Sequence, residues 1–293
     1  MSKSITIRDV ARKAGVSRQT VSRAFNDKGE ISEKTKQHVL AVARQMGYRP
    51  SGLARSLSTN RTYTVGFLVP DISNEFFSLM VRGAEKVSAE AGYSLFLVNT
   101  LKNLQLETSA LDTLWDRRVD GAILYASLLS QEQLTSYVER FENIVFINSP
   151  SVPMIQGKTA VINVDDQEGA RLATNHFLNN GHSRIAFISA PAISTSGQRR
   201  LAGFRQAFSE QNHLLDETLI YECIPHTEGG YQTLTRILQE QPDVTAILAY
   251  NDLSAIGAIR ACEDHGKSIP DDVTIIGFDD IPLASLLRPT LST

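Results

Sequence analysis

The sequence predicts an all-α helix-turn-helix head joined by a hinge to an α/β body of two doubly wound, parallel-sheet lobes. Three observations carry that expectation. Residues 6–25 hold two short apolar-periodic segments around Gly15. From residue 64 onward, short apolar runs alternate with amphipathic stretches of helical period. The charge also divides: residues 1–62 carry 13 Lys and Arg against 4 Asp and Glu, and the rest of the chain 16 against 28. A basic head on an acidic body is the footprint of a polyanion-binding module fused to a domain with another task.

In the head, Thr6 can cap a first helix whose apolar positions Ile7, Val10, Ala11 and Ala14 recur at helical spacing. Gly15 supplies the turn, and Ser17 caps a second helix with Val21, Ala24 and Phe25 on one face. A third helix starts at Ser32, turns Val39, Leu40, Val42, Ala43 and Met46 inward, and ends at Gly47. A polar connector follows, punctuated by Pro50 and Gly52. Candidate strands then lie at 64–69, 94–98, 121–125, 144–147, 160–164, 185–189, 246–249 and 274–277. Helices are expected at 76–91, 107–115, 131–141, 167–179, 197–211, 230–239 and 252–265. Eight strands divide best into two lobes, with a break near 150–158. The resulting organisation is a helix-turn-helix domain (1–49), a hinge (50–62), an N-terminal lobe (63–150) and a C-terminal lobe (151–293).

The outer face of the second helix has base-edge chemistry. Arg18 and Arg23 can grip guanine O6 and N7, Gln19 can grip adenine N6 and N7, and the hydroxyls of Ser17 and Thr20 suit phosphate or thymine. In the body, several strands end on Asn or Asp, a pattern that serves helix capping or a polar cleft at the carboxyl ends of the strands.

Other classes are disfavoured. Cys223 and Cys262 stand far apart without a ligand cluster, so no metal site, cofactor or disulfide framework is expected. There is no apolar signal segment and no run of about 18 apolar residues, which points to a cytoplasmic protein. No phosphate-binding loop or nucleophile elbow is present, which argues against an enzyme. A soluble sugar sensor without DNA action would suit the body alone, but leaves the basic head unexplained.

The sequence resembles the lactose-repressor/galactose-repressor (LacI/GalR) family of bacterial transcription factors. The resemblance rests on the run from Ile7 to Asn26, Tyr48-Arg-Pro, Ala54-Arg-Ser-Leu57, Arg200-Leu-Ala-Gly-Phe204, Asn251-Asp252 and Ile276-Gly-Phe-Asp-Asp280. It implies a repressor that binds pseudopalindromic double-stranded operator DNA as a homodimer, with Arg18, Gln19 and Arg23 reading bases and Ser17 and Thr20 near phosphates. It further implies that the segment holding Ala54, Arg55 and Leu57 becomes helical on DNA, with Leu57 wedged in the minor groove; spacing alone suits Leu53 and Leu57 as linker anchors. The body resembles a periplasmic sugar-binding protein that closes over a small sugar-like effector. Phe76 and Phe77 would press an aromatic face on it, although both suit core packing too. Arg200 would donate in bidentate fashion to its hydroxyls, with a surface ion pair as the competing role. Asn148, Asn251 and Asp279 match polar pocket positions, and Ser194 and Ser196 lie on a loop that reaches the effector in some relatives. Asn148 stands where many relatives have aspartate. Relatives continue for several dozen residues past 288–293, so the resemblance implies an incomplete C-terminal lobe, with weakened closure and dimerisation.

Overall fold

The computed structural model describes residues 5–26, 31–48, 56, 59–149 and 151–293. They fall into two compact units. One holds the head up to Thr64 together with residues 118–120; the other holds 65–117 and 121–293.

Among the described residues of the head, three helices share one small core. Helix α1 (Ile7–Ala14) begins at a capping box in which Thr6 and Asp9 satisfy each other's backbone amides, and it ends at Gly15, whose φ of 66° needs no β-carbon. Helix α2 (Arg18–Asn26) follows at once. Helix α3 (Glu33–Met46) starts where the Ser32 hydroxyl accepts from the Thr35 amide and ends at Gly47 with φ 67°. Val10, Ala11, Ala14, Val21, Ala24, Val39 and Ala43 are buried together, and Phe25 meets Tyr48 edge-on at 5.7 Å. Among the hinge positions, Ala54, Arg55 and Leu57 lie outside the described residues.

The body is two parallel sheets flanked by helices. The first runs in the order β2-β1-β3-β4-β5, with β1 (Thr64–Val69), β2 (Ser94–Asn99), β3 (Gly121–Tyr125), β4 (Ile144–Ile147) and β5 (Thr159–Ile162). Its helices are α4 (Glu75–Glu90), α5 (Leu104–Asp116) and α6 (Gln131–Arg140). The second sheet runs β7-β6-β8-β9, with β6 (Ile185–Ser189), β7 (Ile220–Glu222), β8 (Ala246–Ala249) and β9 (Thr274–Ile276). Helices α7 (Asp166–Asn179), α8 (Thr195–Glu210), α9 (Thr227–Glu240) and α10 (Asp252–Asp264) accompany it.

The second sheet shows why its strands are apolar throughout. Ile185, Phe187, Ala246 and Leu248 join Phe177, Phe204 and Phe208 on one face, whereas Ala186, Ile188, Ile247 and Ala249 join Leu234, Ile237, Ala258 and Cys262 on the other. Side chains alternate across a strand, so a sheet covered on both faces needs no polar positions. The helices that cover each face are drawn together at glycines. A β-carbon on Gly203 of α8 would sit 2.0 Å from the Gln167 carbonyl of α7, and one on Gly257 of α10 would sit 1.9 Å from the Thr227 carbonyl of α9.

Two expectations need correction. The sheets do not divide near 150–158: β5 pairs with β4 from Thr159 to Ile162, so the first lobe continues past that boundary before the chain enters α7. The apolar run alone could not show this, because β5 is an edge strand whose sequence carries no signal of its neighbour. A ninth strand, β7, was not expected at all, since its three residues at a sheet edge give too short a pattern.

Candidate functional site

On the head, the inward turn of Val21 and Ala24 directs the opposite face of α2 to solvent. Arg18 and Gln19 are exposed at its N-terminus, beside Ser17. Thr20 beside them and Arg23 one turn further on are half-buried. The Ser17 hydroxyl accepts from the Thr20 amide at 3.0 Å and meets the Thr20 hydroxyl at 2.9 Å, so both side chains are held at the helix start. An exposed row of guanidinium and carboxamide groups, beside hydroxyls at a helix N-terminus, has the chemistry of base edges and phosphates.

In the body, residues at the carboxyl ends of the strands converge. From the first lobe, Phe76, Phe77 and Tyr125 form an edge-to-face trio with centroids 4.9 to 6.1 Å apart. Phe77 is mostly committed to the core with Phe67 and Val69, while Phe76 is half-buried. Asn148, with φ 52°, donates from Nδ2 to the Tyr125 hydroxyl at 2.9 Å and accepts at Oδ1 from the Val164 amide at 2.9 Å. It therefore fixes Tyr125 rather than offering its amide outward. Burial pushes the Tyr125 phenol well above its ordinary pKa, helped by Tyr250 and Asp279 of the second lobe and opposed by Arg200. Tyr125 thus lies within electrostatic range of Tyr250, Asp279 and Arg200 of the second lobe.

From the second lobe comes an ion cluster. Arg200, 4 % exposed, donates from Nε to Asp166 Oδ1 at 2.9 Å, and its Nη2 lies 2.9 Å from the same oxygen. Its Nη1 donates to the Tyr250 carbonyl. The guanidinium lies 3.6 Å from the Phe278 ring centroid and 4.6 Å from that of Tyr250. Arg199 takes the other oxygen of Asp166 at 2.6 Å. Asp279 stands 3.7 Å from Arg200, too far for a direct hydrogen bond, with its side chain 8 % exposed. Desolvation wins over that attraction, and nearby Asp252 and Asp166 add to it, so the Asp279 carboxyl is pushed up to about 7. At neutral pH it can donate or accept.

The expected site residues therefore have unequal places. Phe76, Arg200 and Asp279 belong to the convergence. Ser194 joins it as the N-cap of α8, with its hydroxyl 3.3 Å from that of Tyr250. Ser196 is buried in the first turn of the same helix. The Nε edge of Arg200 holds Asp166, and its Nη1 holds the Tyr250 carbonyl. Asn251 is a buried helix cap: its Oδ1 accepts from the amide and hydroxyl of Ser254, and its Nδ2 donates to the Pro225 carbonyl. Sequence reasoning missed Tyr125, Asp166, Tyr250 and Phe278. The aromatic residues read as strand ends, and a carboxylate paired 34 positions away leaves no local spacing to detect.

Comparison with known proteins matches both parts of the chain. Residues 62–290 match periplasmic binding proteins and the sugar binding domain of the LacI family, and residues 6–51 match bacterial regulatory proteins of the lacI family. The chain is 34 % identical over 288 residues to the HTH-type transcriptional regulator GalR of Salmonella typhimurium, covering 98 % of this chain and 83 % of that protein. It is 36 % identical over 291 residues to the ribose operon repressor of Halalkalibacterium halodurans, covering 98 % and 84 %. Its fold is similar to that of the lac repressor dimer bound to operator and the anti-inducer ONPF, with a TM-score of 0.87 at 26 % identity over 99 % of this chain and 86 % of that one. With a DNA-reading head and a two-lobed body both matched in order, the chain belongs to the LacI family of bacterial DNA-binding transcriptional regulators.

Proposed function

We propose that this regulator is a repressor that binds a pseudopalindromic operator as a homodimer in the bacterial cytoplasm, and that a small neutral polyol in the interlobe cleft sets its affinity for DNA. Arg18, Gln19 and Arg23 read base edges in the major groove, and Ser17 and Thr20 take phosphates. Ala54, Arg55 and Leu57 act at the centre of the site, in the minor groove. In the body, Phe76, Tyr125, Tyr250 and Phe278 offer aromatic surface to the C–H faces of a sugar, and Asp279 and Ser194 offer hydrogen bonds to its hydroxyls. Ser196 and Asn251 support the helix starts that carry this wall, and Asn148 and Phe77 support Tyr125.

The observation that carries this reading is that half-buried Tyr125 of one lobe lies within electrostatic range of Tyr250, Arg200 and Asp279 of the other. A ligand that bridges those groups biases lobe closure, and a head coupled to that equilibrium responds without touching the ligand. Selection of bound sequences from random DNA, with and without a panel of neutral hexoses, pentoses, disaccharides and purine bases, tests both halves. A two-fold symmetric consensus whose recovery changes with one panel member is expected. Absence of any preference over bulk competitor at low salt would overturn the DNA reading, and a consensus indifferent to the whole panel would overturn the effector reading.

A further inference from the structure

We infer that Asp252 is a positioning residue for the cleft: its carboxylate holds the turn between β9 and the following 3₁₀ segment (Pro282–Leu286) in the shape that turns Asp279 towards Arg200. This deepens the effector reading of the cleft and rests on it.

Asp252 is the first residue of α10 and has no exposed surface. Its neighbour Asn251 already caps that helix, so capping does not account for a fully buried carboxylate there. Its contacts lead elsewhere. Oδ2 accepts from the Ile281 amide at 2.9 Å, while the Asp252 amide donates to the Phe278 carbonyl at 2.9 Å. One residue thus grips both ends of a four-residue turn. Between the grips, Asp279 has φ 121° and Asp280 has φ 53°, both in the region that disfavours a β-carbon. Two consecutive residues of that kind persist only where the surroundings over-determine them. The Asp280 amide adds a bond to the Thr293 hydroxyl at 3.1 Å. Gly277 completes the arrangement, since a β-carbon there would lie 2.2 Å from Asp252 Oδ1. The same residue that clamps the turn is therefore the one that Gly277 leaves room for.

The Asp252 carboxyl lies beside the Thr293 hydroxyl and within electrostatic range of Asp280, and Asp279 lies within that range of Arg200, Asp166, Asp252, Tyr125 and Tyr250. Substituting Asp252 thus changes charge as well as geometry near Asp279, whereas Gly277→Ala disturbs geometry and keeps every charge. The test compares the full chain with Asp252→Asn, Gly277→Ala and Thr293→Val, the last at an exposed position. Two readouts are taken without any effector: hydrogen exchange of the Ile281 amide, and titration of the Asp279 carboxyl by 13C NMR. Gly277→Ala and Asp252→Asn are expected to speed Ile281 exchange roughly tenfold or more and to move the Asp279 midpoint down from about 7 towards the ordinary carboxylate range. Thr293→Val, which removes one tie of the turn, shifts both in the same direction by less. Should the core variants fail to fold, a Thr293→Val protein with both readouts unchanged overturns the inference. So does a midpoint that falls in Asp252→Asn alone while Gly277→Ala leaves exchange and titration as they were, since Asp252 would then act by charge only. Neither readout uses a ligand, so failure of the effector panel leaves this result standing, and the reverse also holds.

Discussion

At the scale of single residues, the cleft is governed by what Arg200 has already been given. Asp166 fills its Nε edge and the Tyr250 carbonyl takes Nη1, so the residual attraction does not offset the burial of Asp279, whose carboxyl is pushed up to about 7. An acid whose pKa is higher in the folded cleft than in the open chain holds its proton more tightly when folded. Its contribution to stability is complete below the ordinary carboxylate range and is lost as pH rises through about 7. Asp279→Asn mimics the protonated form, so its stability relative to the parent should rise with pH by up to about 1.4 kcal/mol per unit across that window. Paired denaturant melts from about pH 5 to about pH 8 check this, because titrations shared by both proteins cancel in the difference. Parallel curves would show that Asp279 titrates as an ordinary surface acid. On the head, Gln19→Ala should relax preference at one position of each half-site, at about 1 to 3 kcal/mol of discrimination. Binding-site selection that returns an unchanged consensus would remove Gln19 from the reading set.

At the scale of elements, Asp166 and the glycines show what holds the second lobe in register. Asp166→Ala leaves two arginines without their shared partner in a buried site, which should cost about 3 to 5 kcal/mol. Gly257→Ala forces α10 away from α9, because the clash is with backbone rather than with the far end of a side chain. The expected loss is about 1 to 3 kcal/mol, read as a lowered denaturant midpoint with an unchanged slope. Most of these elements were legible in advance. Caps at Thr6, Ser17 and Ser32 and glycines at 15 and 47 delimit the head, because local chemistry decides where a helix begins and ends. The buried strands stood out because two covered faces demand continuous apolar runs. What escaped notice was non-local: the sheet to which β5 belongs, the edge strand β7, and the pairing of Asp166 with Arg200. Arg200 was legible as a residue but not as a partner. Its own sequence neighbourhood says nothing of the carboxylate that α7 brings against it.

At the scale of the whole molecule, the division of charge becomes a division of labour. The head carries the cations that displace counterions from DNA, while the acidic body gains nothing from approaching a polyanion. Affinity for an operator should fall steeply with salt, and each head cation that contacts a phosphate should account for about 0.9 of the slope of log K against log salt. Neutralising a body lysine such as Lys158 should leave that slope unchanged. An effector acting through lobe closure makes a different mark. It alters how often the pair of heads is held in a binding geometry, not how many phosphates they touch once bound, so it should shift the affinity line vertically by about 5- to 150-fold at constant slope. Fluorescence anisotropy over a salt series, with and without the active panel member, separates the two. A change of slope on adding effector would mean that the ligand alters the protein–DNA contact itself, and allosteric coupling through the cleft would have to be abandoned.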